Sequence, residues 1–354
     1  MSEVDWYGGL EPELDGQMLP GKPSDPEMRE SASIWLFEEN GEFALPRNGI
    51  EAVGAVWENH RFDCNFAFRG GRILRESTTG QTHPSDGGVL GTGGLTFRCL
   101  EPSRKWAVSY VGEPYEARIE DQMRGQFGVF AGHEPSNANN QTYPRTPVSY
   151  EVELTMVTPA WTQDYRPAAL AGMTERERTD AGLMGYGWRI EQMFRGEGTL
   201  TIDGATRQFR CNGSRIHRQS VRPMGAFRGH CWQAAVFPDG RAFGVITYPP
   251  AEDGTTYNNG YLYQDGKWYA ARSLNPPFLR RIIAEGDDVS LELETELGIT
   301  RIEGRTELST FHIGNPGVNG MNNQQGGVRY TLDGMTAYGM IERSSPMELC
   351  SLVE

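Results

Sequence analysis

Apolar and polar residues alternate along several stretches of the chain. The alternation is clear over residues 148–156, 198–203 and 289–297, where apolar side chains recur at nearly every second position. Successive side chains of a β-strand point to opposite faces of its sheet. The pattern therefore predicts strands that have one face in a core and the other in water.

Short turn motifs separate these stretches. Each is an Asn-Gly or Asp-Gly pair between segments rich in Phe, Val, Tyr, Ile or Trp. Such pairs favour two-residue hairpin turns, because both central residues need a positive φ. The chain is therefore predicted to be mostly β, with antiparallel strands. The five pairs are Asn40-Gly41, Asp203-Gly204, Asp239-Gly240, Asp265-Gly266 and Asp333-Gly334.

A helix signal lies near the middle of the chain. Thr174 and Glu177 have the spacing of a capping box, and the helix is expected to run to about Met184. Pro and Gly interrupt the strand pattern on both sides of it, as in a linker. A length of 354 residues corresponds to about two domains. We predict an N-terminal β domain, a linker with a short helix and a C-terminal β domain, over residues 1–160, 161–187 and 188–354.

The charge balance argues against a nucleic-acid partner. The chain has 33 Lys and Arg against 47 Asp and Glu, a net charge of −14, which would repel a phosphate backbone. No stretch approaches the roughly 18 apolar residues of a membrane helix. Residues 1–16 are acidic and lack the basic start and apolar run of a secretory signal. We expect a cytoplasmic protein with no integral membrane segment, and whether it forms a homodimer is left open.

The cysteines and histidines do not form a convincing metal motif. Five cysteines are an odd number without a C-x-x-C pair, so buried reduced thiols are expected. His217, His230 and Cys231, with His60 or His312, are a set that zinc would accept, but their spacing fixes no geometry. We therefore predict no metal.

Common catalytic signatures are absent. The chain has no G-x-S-x-G, no H-E-x-x-H and no Walker lysine motif. Residues 91–94 superficially match a dinucleotide loop, but the segment that follows is itself strand-like, so a plain turn is expected. No cofactor is predicted.

The densest group of reactive side chains falls in residues 214–220 and 228–237. If these two segments form adjacent antiparallel strands, Arg215 and His217 lie on one face of the first strand, and His230 and Trp232 lie on one face of the second. The two pairs could then meet inside a barrel.

Buried cations of this kind need paired carboxylates or a polar ligand, because an unpaired buried charge lowers the stability of the fold by roughly several kcal/mol. The alternative is a sheet edge at which Arg218 and Arg222 are solvated and His217 is merely hydrogen-bonded.

An acidic residue and a group of aromatic residues are further candidates. Alternation over residues 57–66 places Asp63 on the face opposite Phe62 and Cys64, where it is either an inward acid or exposed to solvent. Aromatic side chains also crowd the stretch after the histidines, where they line an apolar pocket or pack as ordinary hairpins. They are Tyr248, Tyr257, Tyr261, Tyr263, Trp268 and Tyr269.

Several short motifs occur in a defined order along the chain. In the first half they are Glu30-Ser-x3-Trp35 and Gly93-Gly94-Leu-x-Phe97-x3-Glu101-Pro102-x3-Trp106. In the second half they are Gln192-x4-Glu197-Gly198, Gly213-Ser-Arg215-Ile-His217, His230-Cys-Trp232-Gln233 and Tyr338-Gly339-Met-Ile-Glu342. Over nearly the whole chain, this order resembles the two-domain lipocalin-like family related to carotenoid 1,2-hydratase, kievitone hydratase and the AttH proteins.

The resemblance implies a fold and a class of chemistry. Members have two lipocalin-like antiparallel β-barrel domains packed together, with an apolar ligand cavity. Several carry out cofactor-free hydration, cyclisation or isomerisation of isoprenoid and polyketide double bonds, and others have no established activity. Relatives often have Asp-His-x-Trp where this chain has Ile216-His217-Arg218-Gln219. The partner of the histidine must therefore come from elsewhere, or the chemistry differs.

We predict a cofactor-independent lyase or isomerase acting on the double bond or allylic alcohol of a terpenoid-, steroid- or polyketide-like molecule. His217 or His230, paired with a carboxylate such as Asp63, would transfer the proton. The alternatives are a non-catalytic carrier of a hydrophobic small molecule and a structural or secretion-associated β protein. The predicted substrate-binding residues are Arg215, Trp232, Gln233, Tyr248, Trp57 and Tyr263.

Overall fold

The computed structural model describes residues 4–19, 21–80, 89–128, 143–225 and 227–353. Within them the chain is mostly β, as predicted, with three short α-helices. The elements up to residue 221 are β1 Met28–Glu38, β2 Phe43–Val53, β3 His60–Phe68, β4 Arg72–Gly80, β5 Val89–Thr92, β6 Leu95–Glu101, β7 Lys105–Gly112, β8 Tyr115–Arg118, α1 Ile119–Met123, β9 Val148–Met156, β10 Trp161–Asp164, α2 Pro167–Leu170, α3 Glu175–Gly182, β11 Tyr186–Ile202 and β12 Ala205–Val221. Those that follow are β13 His230–Val236, β14 Ala242–Tyr248, β15 Tyr257–Gln264, β16 Lys267–Ser273, β17 Arg281–Ile282, β18 Leu291–Thr295, β19 Gly298–Asn315, β20 Met321–Leu332, β21 Met335–Ser345 and β22 Ser351–Leu352.

The first twelve strands form one sheet, here called the N-terminal sheet. Its order is β5-β6-β7-β9-β11-β12-β1-β2-β3-β4-β8, and β10 pairs with β11. The sheet curls as a barrel does, so that Gly93, in the turn after β5, lies against the ring of Phe62 in β3. The two ends of this order do not pair, so the sheet stays open.

The second half of the chain closes on itself. Strands β13, β14, β15, β16, β18, β19, β20 and β21 form a closed barrel, here called the C-terminal barrel. Strands β17 and β22 form a small parallel pair beside it. Of the described helices, none is long and apolar enough to cross a membrane.

Three of the five predicted turns are two-residue hairpins. Asp203-Gly204, Asp265-Gly266 and Asp333-Gly334 each join consecutive strands, and both residues of each pair have φ between 50° and 79°. Asn40-Gly41 and Asp239-Gly240 lie in longer loops, in which the glycine has a positive φ and the residue before it does not. Within the plain turn predicted at residues 91–94, Gly93 and Gly94 form the turn between β5 and β6, and residues 91 and 92 end β5.

The predicted helix is present, but the chain passes from the N-terminal sheet to the C-terminal barrel at a later residue than the predicted linker. Helix α3 begins with the reciprocal Thr174–Glu177 capping box. The strands that follow it, β11 and β12, pair with β9 and β1 and so belong to the N-terminal sheet. The chain passes to the barrel between Val221 and His230. The predicted boundary at residue 188 is therefore corrected, since local signals mark a turn but do not say with which strand the next segment pairs.

Apolar side chains fill three layers. One core lies inside the curl of the sheet and another inside the barrel. A third lies where the outer faces of the sheet and barrel meet. Strand β1 shows how alternation divides these layers, because Ile34 joins the inner core whereas Trp35 packs edge-on against Trp232 of the barrel, with 5.7 Å between ring centroids.

Candidate active site

A cavity of about 570 Å³ lies between the N-terminal sheet and the C-terminal barrel, and we call it the central cavity. Its walls come from the outward faces of β1, β2 and β12 on one side and of β13, β14 and β21 on the other. Arg222, Met224, Phe227 and residues 316–319 border it outside the strands. The side chains on which the argument below depends are Glu51, Arg189, Arg218, Arg222, Phe227, His230, Trp232, Tyr248 and Glu342.

Among the described histidines, His230 lines the central cavity. The pairing of β13 with β21 sets His230 opposite Ser344 and Trp232 opposite Glu342. The Nδ1 atom of His230 lies 2.7 Å from the Ser344 hydroxyl, and its Nε2 atom lies 3.8 Å from a carboxylate oxygen of Glu342. The His230 side chain is 10% exposed, so it reaches the cavity while the Ser344 hydroxyl fixes its orientation from behind.

Glu342 is an ionised carboxylate. Burial alone would raise the pKa of Glu342, but the nearby His230, the charge of Arg47 and the hydrogen bond from Gln325 outweigh burial and lower that pKa to about 2. The Nε2 amide of Gln325 also donates to its carboxylate, at 2.9 Å. An imidazole beside a carboxylate is an arrangement suited to general acid–base chemistry, so the cavity wall carries a candidate proton-transfer pair.

Aromatic rings surround the imidazole. The centroids of Phe227 and Tyr248 lie 5.5 and 6.2 Å from that of His230. Trp232 lines the same wall and carries the Arg189 guanidinium 4.6 Å from its ring centroid. Aromatic faces of this kind attract positive charge that develops in a ligand.

Asp63 lies in a smaller recess of about 230 Å³ that shares Arg61 and Glu342 with the central cavity. It is buried, on the face opposite Phe62 and Cys64 as the alternation predicts. Its carboxylate is 3.0 Å from Arg61 Nε and 3.7 Å from Arg75 Nη2. Burial would raise the pKa of Asp63, but these guanidinium groups outweigh it and lower the pKa. Asp63 thus lies among guanidinium groups, whereas the carboxylate beside His230 is that of Glu342.

His217 and Arg215 do not reach the central cavity, so the prediction that His217 and His230 share one is corrected. Strand β12 pairs with β1 and β11, whereas β13 pairs with β14 and β21. Strands β12 and β13 face each other across the cavity but do not pair. The even-numbered residues of β12, such as Ile216 and Arg218, point towards the cavity. His217 and Arg215 point the other way, into the curl of the sheet.

There they form part of a buried polar network. Arg215 makes two hydrogen bonds to the carboxylate of Asp15, at 2.8 and 2.9 Å, and a third to Gln192. His217 lies 3.4 Å from Glu30 and 3.9 Å from Asp15. Burial lowers the pKa of His217, but its bonds to these carboxylates outweigh burial and raise it. The solvated sheet edge, the alternative reading, is also wrong, since β12 is paired on both sides.

Three other predicted substrate-binding residues lie elsewhere. Gln233 points into the barrel, where its Nε2 amide donates to the Val289 carbonyl and the Tyr330 hydroxyl. Trp57 packs edge-on against His60, at 5.0 Å, next to the rim of the cavity. Tyr263 packs against Trp268 on the surface of the barrel. Trp232 and Tyr248, in contrast, line the central cavity.

The zinc set is dispersed in the same way. His217, His230 and Cys231 face the sheet interior, the central cavity and the barrel interior respectively. Over the described part of the chain, no three or more His, Cys, Asp or Glu side chains are grouped so as to hold a metal ion. The five cysteines are free thiols, buried or half-buried.

Sequence reasoning missed Glu342, Ser344 and Phe227. Glu342 and Ser344 follow Met340 at alternate positions of β21, so period 2 places them on one face. That signal was available in the sequence, but the pairing of β21 with β13, which brings Glu342 to His230, was not. Phe227 lies in a loop, where periodicity says nothing.

The molecule is thus a β protein in which a curled sheet and a closed barrel enclose a polar and aromatic cavity. Solved structures share this fold. An AttH-like protein of Nitrosomonas europaea has a TM-score of 0.52 at 11% identity, over 93% of this chain and 98% of that one. Kievitone hydratase from Nectria haematococca has a TM-score of 0.52 at 10% sequence identity, over 98% of each chain. CghA has a TM-score of 0.52 at 12% sequence identity, over 97% of each chain.

The chain belongs to the family described as domain of unknown function DUF7064, whose model matches residues 15–347. No curated protein sequence matches it. The similarity to the solved structures confirms the resemblance read from the motifs, and at identities of 10–12% it establishes the fold.

Proposed function

We propose that the chain is a cofactor-independent hydro-lyase or isomerase. Its substrate is a hydrophobic terpenoid-, steroid- or polyketide-like molecule bound in the central cavity. The observation that carries the proposal is the His230–Glu342 pair, which stands at the wall of a 570 Å³ cavity among aromatic rings. A pocket with a few convergent polar groups is the usual form of a small-molecule site.

The pair supports general acid–base chemistry on a double bond. Protonated His230 gives its proton to one alkene carbon, and the charge that forms on the other carbon faces Trp232. Water then forms the C–O bond and returns a proton to the imidazole, and the same steps in reverse dehydrate an alcohol. Loss of a different proton from the cation gives an isomerised alkene. Acid–base catalysis of this kind contributes about 10²–10⁴-fold in rate.

The solved structures support the same class of reaction. One of them is a hydratase, so the fold is compatible with such chemistry. A carrier would need the same cavity without a proton donor, and an entirely apolar lining would suit it best. The lining of the central cavity includes His230 and Glu342, which favours the enzyme.

Isotope incorporation tests the proposal. Compounds that co-purify with the protein are identified by mass spectrometry and then incubated with it in D₂O and, separately, in H₂¹⁸O. We expect deuterium at carbon with the wild-type protein, accompanied by ¹⁸O if the reaction is a hydration. Both should be lost in His230→Gln. A compound that binds but gains no deuterium with the wild-type protein would favour the carrier instead.

A further inference from the structure

The wall that β11 and β12 contribute to the central cavity is cationic. The register of these strands sets Arg189 directly opposite Arg218, and Arg222 lies just beyond the end of β12. All three border the cavity. Like charges directly opposite each other on neighbouring strands repel, so this arrangement destabilises the sheet unless each charge is neutralised.

Arg189 and Arg222 have partners within the protein. Arg189 donates to Glu191 at 2.9 Å and to Gln163 at 2.8 Å. Arg222 donates to the hydroxyl of Tyr248 at 2.6 Å, which satisfies a hydrogen bond but supplies no negative charge. The charge of Arg189 is therefore neutralised by Glu191, whereas Arg222 is hydrogen-bonded but has no negative partner.

Arg218 has no comparable partner. Its side chain is 7% exposed and borders the cavity. In the part of the chain that the structure describes, its guanidinium makes no hydrogen bond and no carboxylate lies within 4.0 Å of it. Burial lowers the pKa of Arg218, and the charges of Arg222 and Arg189 lower it further, against a smaller opposing effect of Tyr248 and Glu51. A buried cation is normally paired, so an external anion would complete this site.

The remaining cations of the cavity are accounted for. Arg29 lies 3.2 Å from Glu51, Arg47 lies 4.0 Å from it, and Arg61 also pairs with it. These three arginines share the carboxylate of Glu51, and Arg61 also lies 3.0 Å from Asp63. Of the arginines that line the cavity, Arg218 and Arg222 are those with no carboxylate of the described residues within 4.0 Å.

We propose that the ligand of the central cavity is an amphipathic anion whose carboxylate or phosphate group binds Arg218 and Arg222. Guanidinium groups present donors in a fork that matches two oxygens of such a group. The apolar body then lies along Ile216, Ile246 and Trp232, towards His230. This narrows the substrate class of the proposed function and rests on the same cavity, but it concerns binding and not turnover.

Calorimetry with three simple ligands of equal chain length tests the proposal. Decanoate and decyl phosphate carry the two anionic groups, and decan-1-ol is the neutral control. We expect one or both anions to bind wild-type protein at least about 10-fold more tightly than the alcohol, the scale of a charge-assisted hydrogen bond. Whichever anion binds more tightly identifies the head group. Equal binding of all three ligands would overturn the proposal.

The variants Arg218→Met and Arg272→Gln test whether Arg218 carries the preference. Each removes one positive charge, but Arg272 lies exposed on β16 and pairs with Glu294. We expect Arg218→Met to lose the preference for the anion and to unfold, without ligand, at a temperature no lower than that of wild type, because an uncompensated buried charge is removed. Arg272→Gln should keep the preference. An anion preference that survives in Arg218→Met would refute the assignment. Because no turnover is measured, this result is independent of the His230 isotope test.

Discussion

Asp15 should contribute strongly to stability although it lies in the N-terminal segment before the first strand. Its carboxylate makes two hydrogen bonds to Arg215 and accepts another from the backbone amide of Ser103, at 2.8 Å. The side chains of Asp15 and Arg215 are 5% and 3% exposed. Asp15→Ala would thus leave a buried guanidinium without its counter-charge.

The expected loss follows from that burial. Breaking a buried ion pair by removing one partner costs about 3–5 kcal/mol of unfolding free energy, mostly because the remaining charge stays desolvated. In the double variant Asp15→Ala/Arg215→Met both charges are gone, so most of the loss should be recovered. A matched carboxylate is Asp239, which pairs with Arg241 on the surface. Asp239→Ala should change the unfolding free energy by at most about 1 kcal/mol.

Urea unfolding followed by tryptophan fluorescence and by circular dichroism measures these differences, with agreement between the two probes as the check on a two-state transition. Two results would refute the reasoning. One is a loss below about 1 kcal/mol in Asp15→Ala. The other is an equal loss in the double variant, which would mean that the charge left on Arg215 is not its cause.

Further predictions concern pH and packing. Because the pKa of His217 is raised above 6.5, the stability it contributes is complete below pH 6.5 and is lost as pH rises through the raised value. Urea unfolding at a series of pH values should show this fall in unfolding free energy in wild type but not in His217→Gln. Because the pKa of Glu342 is lowered from 4.5 to about 2, its stabilisation is present above pH 4.5 and fades as pH falls towards about 2, and Glu342→Gln should lack this acid dependence. Trp232→Leu should lower the unfolding free energy by about 1–3 kcal/mol, since it loses contacts with Trp35 and Arg189, and calorimetry should also show weaker ligand binding.

Local patterns in the sequence identified several of the strands and the faces on which their side chains lie. Alternation placed Asp63 opposite Phe62, and His230 on one face with Trp232, and the structure has both arrangements. The capping box at Thr174 also holds. These features depend on neighbours in sequence, for which the period of a strand or helix is enough.

The residues that meet at the site are determined by which strands pair with each other, and no local sequence pattern specifies that pairing. The assumption that β12 lies beside β13 placed His217 in the cavity, whereas the true partners of β12 are β1 and β11. Glu342 reaches His230 across more than a hundred residues of chain, through the closure of the barrel by β21. The sequence left open whether Arg218 is buried or solvated, because its burial arises only when sheet and barrel pack together.

Turnover by two matched histidine variants tests the central claim most directly. His230→Gln and His217→Gln remove the same group, one from the central cavity and one from the interior of the sheet. On the substrate identified from co-purified compounds, we predict that His230→Gln lowers turnover by about 10²-fold or more and keeps ligand affinity within about tenfold. His217→Gln should keep turnover within about tenfold. Unchanged turnover in His230→Gln, or the larger loss in His217→Gln, would contradict the account.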